Sequence, residues 1–368
     1  MPADPRPTGS SRKSLVLGAV LVVALLGLGG PAVAGATGSS AAPTPGATQL
    51  GPAANSSPVW SYVPTSVAPS PRYSTSFAYD PAANEAVLFG GATTPTSGGD
   101  VPFGDTWLFT NGTWKNITSS LSVAPSPRTG AAFVYDPLDH DLILFGGLGG
   151  VNARYVLNDT WKFQGGHWTN LTRTVGPSPR SDAAMTYDPG LESVVLFGGC
   201  LNPTCSVGAN DLWKFQHSRW SHLPESGVRP KPRADTSFAY DPNDQKIILF
   251  GGWTTAQRYS DTWELNPNGS WTKLHPAAHP SPRLAATMVW DPSTNSMVLY
   301  GGKYLGAFYN DTWEFKNGIW SDLTKRLPGN PGDRGYEYMT FDPWLNAVVV
   351  FGGQTWFPGT LNDTWLFS

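Results

Sequence analysis

Along residues 69–368, apolar and polar positions alternate in short bursts rather than in helical turns. A burst such as Arg128-Thr-Gly-Ala-Ala-Phe-Val-Tyr135, read as the innermost strand starting at its arginine, runs into Asp136-Pro137. An almost wholly apolar run, Leu142-Ile-Leu-Phe145, follows and stops at Gly146-Gly147. After a variable loop come Asp159-Thr-Trp161 and, past a short turn, Trp168-Thr-Asn-Leu171. Strict alternation predicts strands. It aims Phe77, Phe133, Met185, Phe238, Met288 and Met339 to the same side as the aromatics two residues on, Tyr79, Tyr135, Tyr187, Tyr240, Trp290 and Phe341. The continuous apolar run predicts a second strand covered on both faces. Asp-Pro suits a tight turn, because Asp accepts local backbone hydrogen bonds and Pro presets φ. Gly-Gly supplies positive φ and close backbone approach. Each unit therefore predicts four strands.

The unit recurs. Its P-x-P-R-like start places arginines at Arg72, Arg128, Arg180, Arg233, Arg283 and Arg334, spaced by 56, 52, 53, 50 and 51 residues. The double glycines are Gly90-Gly91, Gly146-Gly147, Gly198-Gly199, Gly251-Gly252, Gly301-Gly302 and Gly352-Gly353. A period near 50 residues with four strands per unit is the kelch pattern. The chain resembles the kelch-repeat family over 58–368, including the propeller domain of galactose-oxidase-type proteins. The resemblance implies an all-β, six-bladed β-propeller with four-stranded antiparallel blades. One departure is D-T-W in the third strand, where many kelch repeats carry an aromatic followed by Asp. Twelve of the sixteen tryptophans occupy repeat positions and read as packing between blades.

The last repeat reaches Asp363-Thr-Trp365-Leu-Phe-Ser368 and carries no outer strand. Val59-Trp60-Ser-Tyr-Val63 matches the outer-strand pattern, with Trp60 12 residues before Arg72; in the other repeats this interval is 12–14. Strand 59–63 is therefore expected to complete the last blade, closing the ring and removing open sheet edges.

Residues 1–34 read as an export signal. Arg12 and Lys13 precede an apolar run from Leu15 to Leu28, and Ala32-Val33-Ala34 offers a cleavage site. An uncleaved anchor is the competing reading. Residues 35–57 are rich in Ala, Gly, Ser, Thr and Pro and read as a flexible leader. Localisation is thus expected to be secreted, or on the outer face of the membrane. The formal charge is −3; without Arg6, Arg12, Lys13 and Asp4 it becomes 21 basic against 26 acidic residues, or −5. With no basic block, a nucleic-acid partner is not expected. Cys200 and Cys205 are expected to close one small disulfide loop in an oxidising compartment.

Strand order puts the Asp-Pro turns on one face. The opposite face collects the arginine linkers and the variable loops after Gly-Gly, and recognition is expected on this loop face. Candidate ligand-binding residues are Trp253, Arg258, Tyr259, Tyr304, Phe308 and Trp356, with Arg334, Tyr336 and Glu337 at the start of the last repeat. Aromatic faces with a few polar groups suit a glycan, peptide or protein surface; packing of the same rings against the propeller is the plainer alternative. The six arginines are expected to pair from blade to blade with Asp105, Asp159, Asp211, Asp261, Asp311 and Asp363 as a structural ring, leaving one or two for a ligand. No catalytic residue, metal or cofactor is expected. A copper oxidase site lacks its histidines, of which the chain has six, none on an inner strand. A sialidase-like reading has Tyr336, Glu337, Asp182 and Asp235 on inner strands, but no aspartate-box turn. The function expected is a monomeric, exported binding module. The alternatives are a structural surface protein and a glycan-active enzyme at the channel mouth.

Overall fold

The computed structural model describes residues 57–94, 98–356 and 359–368. The expected export signal (1–34) lies outside the described residues, as do all but the last residue of the expected leader (35–57) and loop residue Phe357. The described chain is strand and turn, with two single 3-10 turns at Thr118–Ser120 and Thr324–Arg326.

Six four-stranded antiparallel sheets carry the fold. In the first, Ser76–Asp80, Glu85–Phe89, Thr106–Thr110 and Thr113–Asn116 lie side by side in chain order. Four more repeat that order from inner strands Ala132–Asp136, Ala184–Asp188, Ser237–Asp241 and Thr287–Asp291. The sixth contains Tyr338–Asp342, Ala347–Phe351 and Thr364–Phe367, and its fourth strand is Trp60–Val63. There Trp60 stands opposite Phe367 and Val63 opposite Thr364. The Trp60 ring meets those of Tyr300 and Phe367 at centroid distances of 4.9 and 5.0 Å.

The apolar second strands form the core, and Val348 to Phe351 are wholly buried. Their side chains alternate between two neighbouring sheets. Val349 and Phe351 join Phe77, Leu88 and Trp114 of the first sheet, while Val348 and Val350 join Val298 and Tyr300 of the fifth. In all six repeats the Asp ahead of the Asp-Pro turn accepts a backbone N–H two residues on, as Asp342 does from Trp344 at 2.9 Å. The first glycine of each pair has no room for a side chain. A Cβ there would lie 2.4–2.8 Å from the carbonyl oxygen of the next arginine. The N–H of the second glycine donates to that same carbonyl at 2.9 Å, and the last of these bonds runs from Gly353 back to Arg72.

The D-T-W departure has a physical reason in each of its letters. The Asp takes the arginine of its own sheet in a two-pronged pair, with N–O distances of 2.5–3.1 Å over the six pairs. Its Oδ2 also accepts the indole N–H of the Trp two residues on, at 2.6–2.8 Å. The Thr hydroxyl accepts the indole of the outer-strand Trp of the following sheet at 2.9–3.0 Å, in five pairs: Trp114–Thr364, Trp168–Thr106, Trp220–Thr160, Trp320–Thr262 and Trp60–Thr312. In the third sheet Leu212 replaces the Thr, and the Trp271 indole nitrogen is buried without a partner.

Two expectations change. The arginine does not begin the inner strand but precedes it by four residues, because the next residue pairs with the loop after Gly-Gly and the one after it bonds to the neighbouring repeat. The ion pairs also lie within a sheet rather than between sheets, since the Asp begins the third strand of the arginine's own unit. Neighbouring sheets are joined instead by glycine–arginine backbone bonds, by Trp–Thr bonds and by packing.

Candidate functional site

Two residues after each arginine, the backbone turns left-handed. Ser74, Gly130, Asp182, Asp235, Ala285 and Tyr336 have φ between 48° and 62°. Each donates its N–H to the carbonyl of the preceding one at 2.8–3.0 Å, and Ser74 donates to Tyr336. These bonds form a closed girdle. Below it lies a cavity of about 140 Å³ lined from all six inner segments, with Phe77, Phe133, Met185, Phe238, Met288 and Met339 in its wall.

The girdle is where the repeat stops repeating. Its backbone is uniform, but its side chains are not. Asp182 and Asp235 are neighbours on it. The Oδ2 of Asp182 accepts Ser181 Oγ at 2.8 Å, and its Oδ1 lies over Gly130, where a Cβ would come within 2.1 Å. The φ alone does not call for glycine, since five non-glycine residues share it on the girdle, but the Asp182 carboxylate occupies the space a side chain at 130 would take. Asp235 Oδ2 accepts the Trp253 indole at 2.7 Å. No salt bridge reaches either carboxylate among the described residues. Burial raises the Asp182 pKa to about 6 against the pull of Ser181. Asp235 is raised well above the ordinary range, first by burial and then by the charge of Asp182, with Trp253 and Lys303 opposing.

Rings and cations surround this pair. The Tyr73 and Tyr336 rings meet edge to face at 5.8 Å. Lys303 Nζ lies 5.7 Å from the Tyr336 ring centre and 4.9 Å from that of Phe308. Arg258 lies over Trp253 at 5.2 Å. Burial lowers the Lys303 pKa, and Asp235 partly restores it. Burial and the nearby carboxylates raise the tyrosine pKa values, so these phenols stay protonated donors at neutral pH. Beside the girdle, Phe308 and the exposed Trp356 meet edge to face at 6.2 Å and border a groove of about 200 Å³ that also includes Lys303. Among the described residues, no three His, Cys, Asp or Glu side chains are grouped to hold a metal.

The candidates from sequence divide cleanly. Trp253, Arg258, Phe308, Tyr336 and Trp356 come together around Asp182, Asp235 and Lys303. Tyr304 is half-buried in the hairpin Lys303–Tyr304/Ala307–Phe308. Tyr259 is not a surface ring: it lies under the Arg233 guanidinium at 3.8 Å, as Phe103 and Tyr309 lie under Arg72 and Arg283. Arg334 is no free cation either. It is 1% exposed and paired with Asp363, and the other five arginines are equally buried. Glu337 is 1% exposed and holds its carboxyl where other repeats have Thr or Ala; neither oxygen has a hydrogen-bond partner. Burial lifts its pKa to about 8, against the pull of its own backbone N–H, the charges of Arg334 and Arg283 and the backbone N–H of Thr287. Asp182 and Asp235 stand just ahead of the inner strands, not on them. Aligning the repeats on Arg and reading two positions on would have isolated them together with Tyr336. Tyr73 and Lys303 carried no such signal, because their places vary freely between repeats. Cys200 and Cys205 are joined, and the bridge packs with Ala234 against Trp253.

A family model described as the KLHDC2/KLHL20/DRC7 kelch-repeats domain matches residues 83–283. The flagellar outer-arm dynein alpha chain of Chlamydomonas reinhardtii is 28% identical over 163 residues, 42% of this chain and 3% of that protein. Dynein regulatory complex subunit 7 of the same organism is 33% identical over 87 residues, 23% of this chain and 7% of that one. The chain thus spans a small fraction of the length of these relatives. The solved structure of YjhT superposes with a TM-score of 0.63 at 17% identity, covering 82% of this chain and 96% of that one, a likeness of fold alone.

Proposed function

The chain belongs to the kelch-repeat family, and from that premise we propose that it is an exported interaction module whose six sheets are the blades of one ring and whose loop face binds a peptide or protein partner. The ring reading is supported by the girdle of hydrogen bonds that returns to its start and by the pairing of Trp60–Val63 with Thr364–Phe367. The export reading rests on residues 1–34 and on a disulfide suited to an oxidising compartment.

One observation carries the binding reading. The repeated positions are spent on packing and ion pairs, whereas the unequal ones (two acids, a tyrosine and the loop rings Trp253, Phe308 and Trp356) converge at one mouth. A rigid scaffold with chemistry gathered on its variable loops is the usual anatomy of a recognition surface. The relatives fit this reading, since a dynein chain and a dynein regulatory subunit are parts of assemblies. No nucleic acid is expected, and a membrane contact would come only through an uncleaved anchor.

The test is partner capture from the native extracellular milieu, with the captured protein identified and its affinity then measured on the purified pair. Trp356→Ala or Trp253→Ala should weaken binding by about 2 kcal/mol, roughly thirtyfold. Trp344→Ala, an equally exposed ring on the Asp-Pro turn face, should leave it unchanged. Loss with Trp344→Ala alone would move the interface to the other face. A glycan panel tests the carbohydrate alternative: saturable binding lost with Trp356→Ala would favour it, and turnover would favour the enzyme.

A further inference from the structure

Resting on the export reading, we propose that the exported chain carries N-linked sugars at Asn111, Asn116, Asn170 and Asn268.

The sequence N-x-S/T, with x any residue but Pro, is the acceptor for such sugars in exported chains. The chain holds eight copies. The one at Asn55 lies outside the described residues, and the structure divides the other seven. Asn158, Asn310 and Asn362 belong to the repeat's own N-D-T. Their threonines, Thr160, Thr312 and Thr364, are at most 2% exposed, and each hydroxyl is spent on a tryptophan indole. The intervening aspartates are paired with Arg128, Arg283 and Arg334. A transferase could reach these hydroxyls only by unpacking the sheets, and packing alone accounts for these three copies.

The other four have no such account. All four asparagines are exposed, and the hydroxyl residues two places on, Thr113, Thr118, Thr172 and Ser270, are exposed or half-buried. Asn111 and Asn268 sit in turns between third and outer strands, and Asn116 and Asn170 end the outer strands of the first and second sheets. The Oδ1 of Asn116, Asn170 and Asn268 accepts the backbone N–H of Thr118, Thr172 and Ser270 at 2.9, 2.8 and 3.0 Å. This contact holds the side chain by its oxygen. Among the described residues, no hydrogen bond engages Nδ2, the atom that takes the sugar. The fold needs only the oxygen. In the fifth sheet Asp322 stands at the place of Asn116 and accepts the Thr324 N–H at 2.8 Å.

The donor is a sugar carried on a lipid phosphate. Nδ2 bonds to C1 of the sugar as the C1–O bond to phosphate breaks. The lipid phosphate leaves with that bonding pair, and one amide proton passes to a base of the transferase. None of the four asparagines lies in a loop after Gly-Gly, so the sugars attach away from the loops carrying Trp253, Phe308 and Trp356.

The full chain is purified separately from the medium and from the cells of its own host, digested with trypsin and read by mass spectrometry. In the secreted chain, the peptides of Asn111, Asn116, Asn170 and Asn268 should each be heavier by at least one sugar that is shed on fragmentation. Those of Asn158, Asn310 and Asn362 should be unmodified. Asn→Asp at each of the four should abolish its own mass shift. Asp keeps the accepting oxygen and tolerates the left-handed φ of 50° at Asn111, so these variants should melt with the parent. If one does not, the peptide map of the wild-type chain decides alone. A secreted chain bare at all four sites overturns the proposal and leaves the export reading standing. Sugar found equally on the N-D-T asparagines, or a mass shift that survives Asn→Asp, also overturns it. A chain found only inside cells, with residues 1–34 attached and no sugar, removes the export reading and the proposal together.

Discussion

Replacing Thr262 with Val should cut one of the five Trp–Thr bonds that tie neighbouring sheets. Trp320 is 2% exposed, and its indole N–H reaches the Thr262 hydroxyl at 3.0 Å. Valine keeps the shape and removes the acceptor, and water has no access to replace it. The cost is that of a buried unsatisfied donor, about 1–3 kcal/mol, against about 1 kcal/mol for the net bond itself. On a domain of this size, each kcal/mol shifts the melting temperature by at most ~2–4 °C. The assay is a double-mutant cycle by denaturant unfolding, with Thr262→Val, Trp320→Phe and both together. Once the indole is gone the Val should cost little, leaving a coupling energy of about 1–2 kcal/mol. The third sheet supplies an internal control. Trp271 faces Leu212 and has no acceptor, so Trp271→Phe should cost about 1 kcal/mol less than Trp320→Phe. Additive single mutants, or equal costs for the two Trp→Phe changes, would refute the reasoning.

Trp60→Ala should destabilise by about 3–5 kcal/mol, read from the chemical denaturation midpoint, and deletion of 58–66 should cost more still; an unchanged melt would deny the strand its role. Asp211→Ala strands a buried guanidinium and should cost about 3–5 kcal/mol. The hydrogen bonds and charge of Arg180 outweigh the burial of Asp211 and hold its pKa below the ordinary value, so the contribution of this pair is full above pH ~4 and fades as pH falls through the depressed folded value, as acid titration of wild type against variant should reveal. Glu337 has the opposite sign. Its folded pKa is raised from 4.5 to about 8, so the native state keeps a proton the unfolded chain has lost, and its share of stability declines as pH rises from about 4.5 to 8. Glu337→Gln should therefore be more stable than wild type at pH 9, by up to a few kcal/mol, and similar at pH 4. Reduction of Cys200–Cys205 opens a short loop and should cost about 2 kcal/mol, with a matching loss in melting temperature.

The strands were legible because their signal is periodic and six times repeated. Phe77 and Tyr79 alternate, Glu85–Phe89 is continuous, and each boundary carries Asp-Pro or Gly-Gly. The missing outer strand was legible for the same reason, as Trp60 stands at the interval from Arg72 that other repeats share. The pairing of arginine was not. A repeat shows that Arg72 and Asp105 recur together, but recurrence is the same whether partners lie in one sheet or in two. The site was harder still. Trp253 and Trp356 stood out as rings outside the consensus, yet Tyr259 had the same sequence character and is buried beneath Arg233. Only the loop path separates them. Asp182 and Asp235 were visible as acids near inner strands, but their adjacency depends on a girdle that joins residues about 50 apart in sequence.

Hydrogen–deuterium exchange on the captured complex tests the central claim most directly. Protection on binding should appear in the loops carrying Trp253, Lys303 and Trp356 and at the segment around Tyr336, while the Asp-Pro turns around Asn84, His140 and Trp344 exchange as in the free protein. Protection confined to those turns, or none at the girdle mouth, would contradict it.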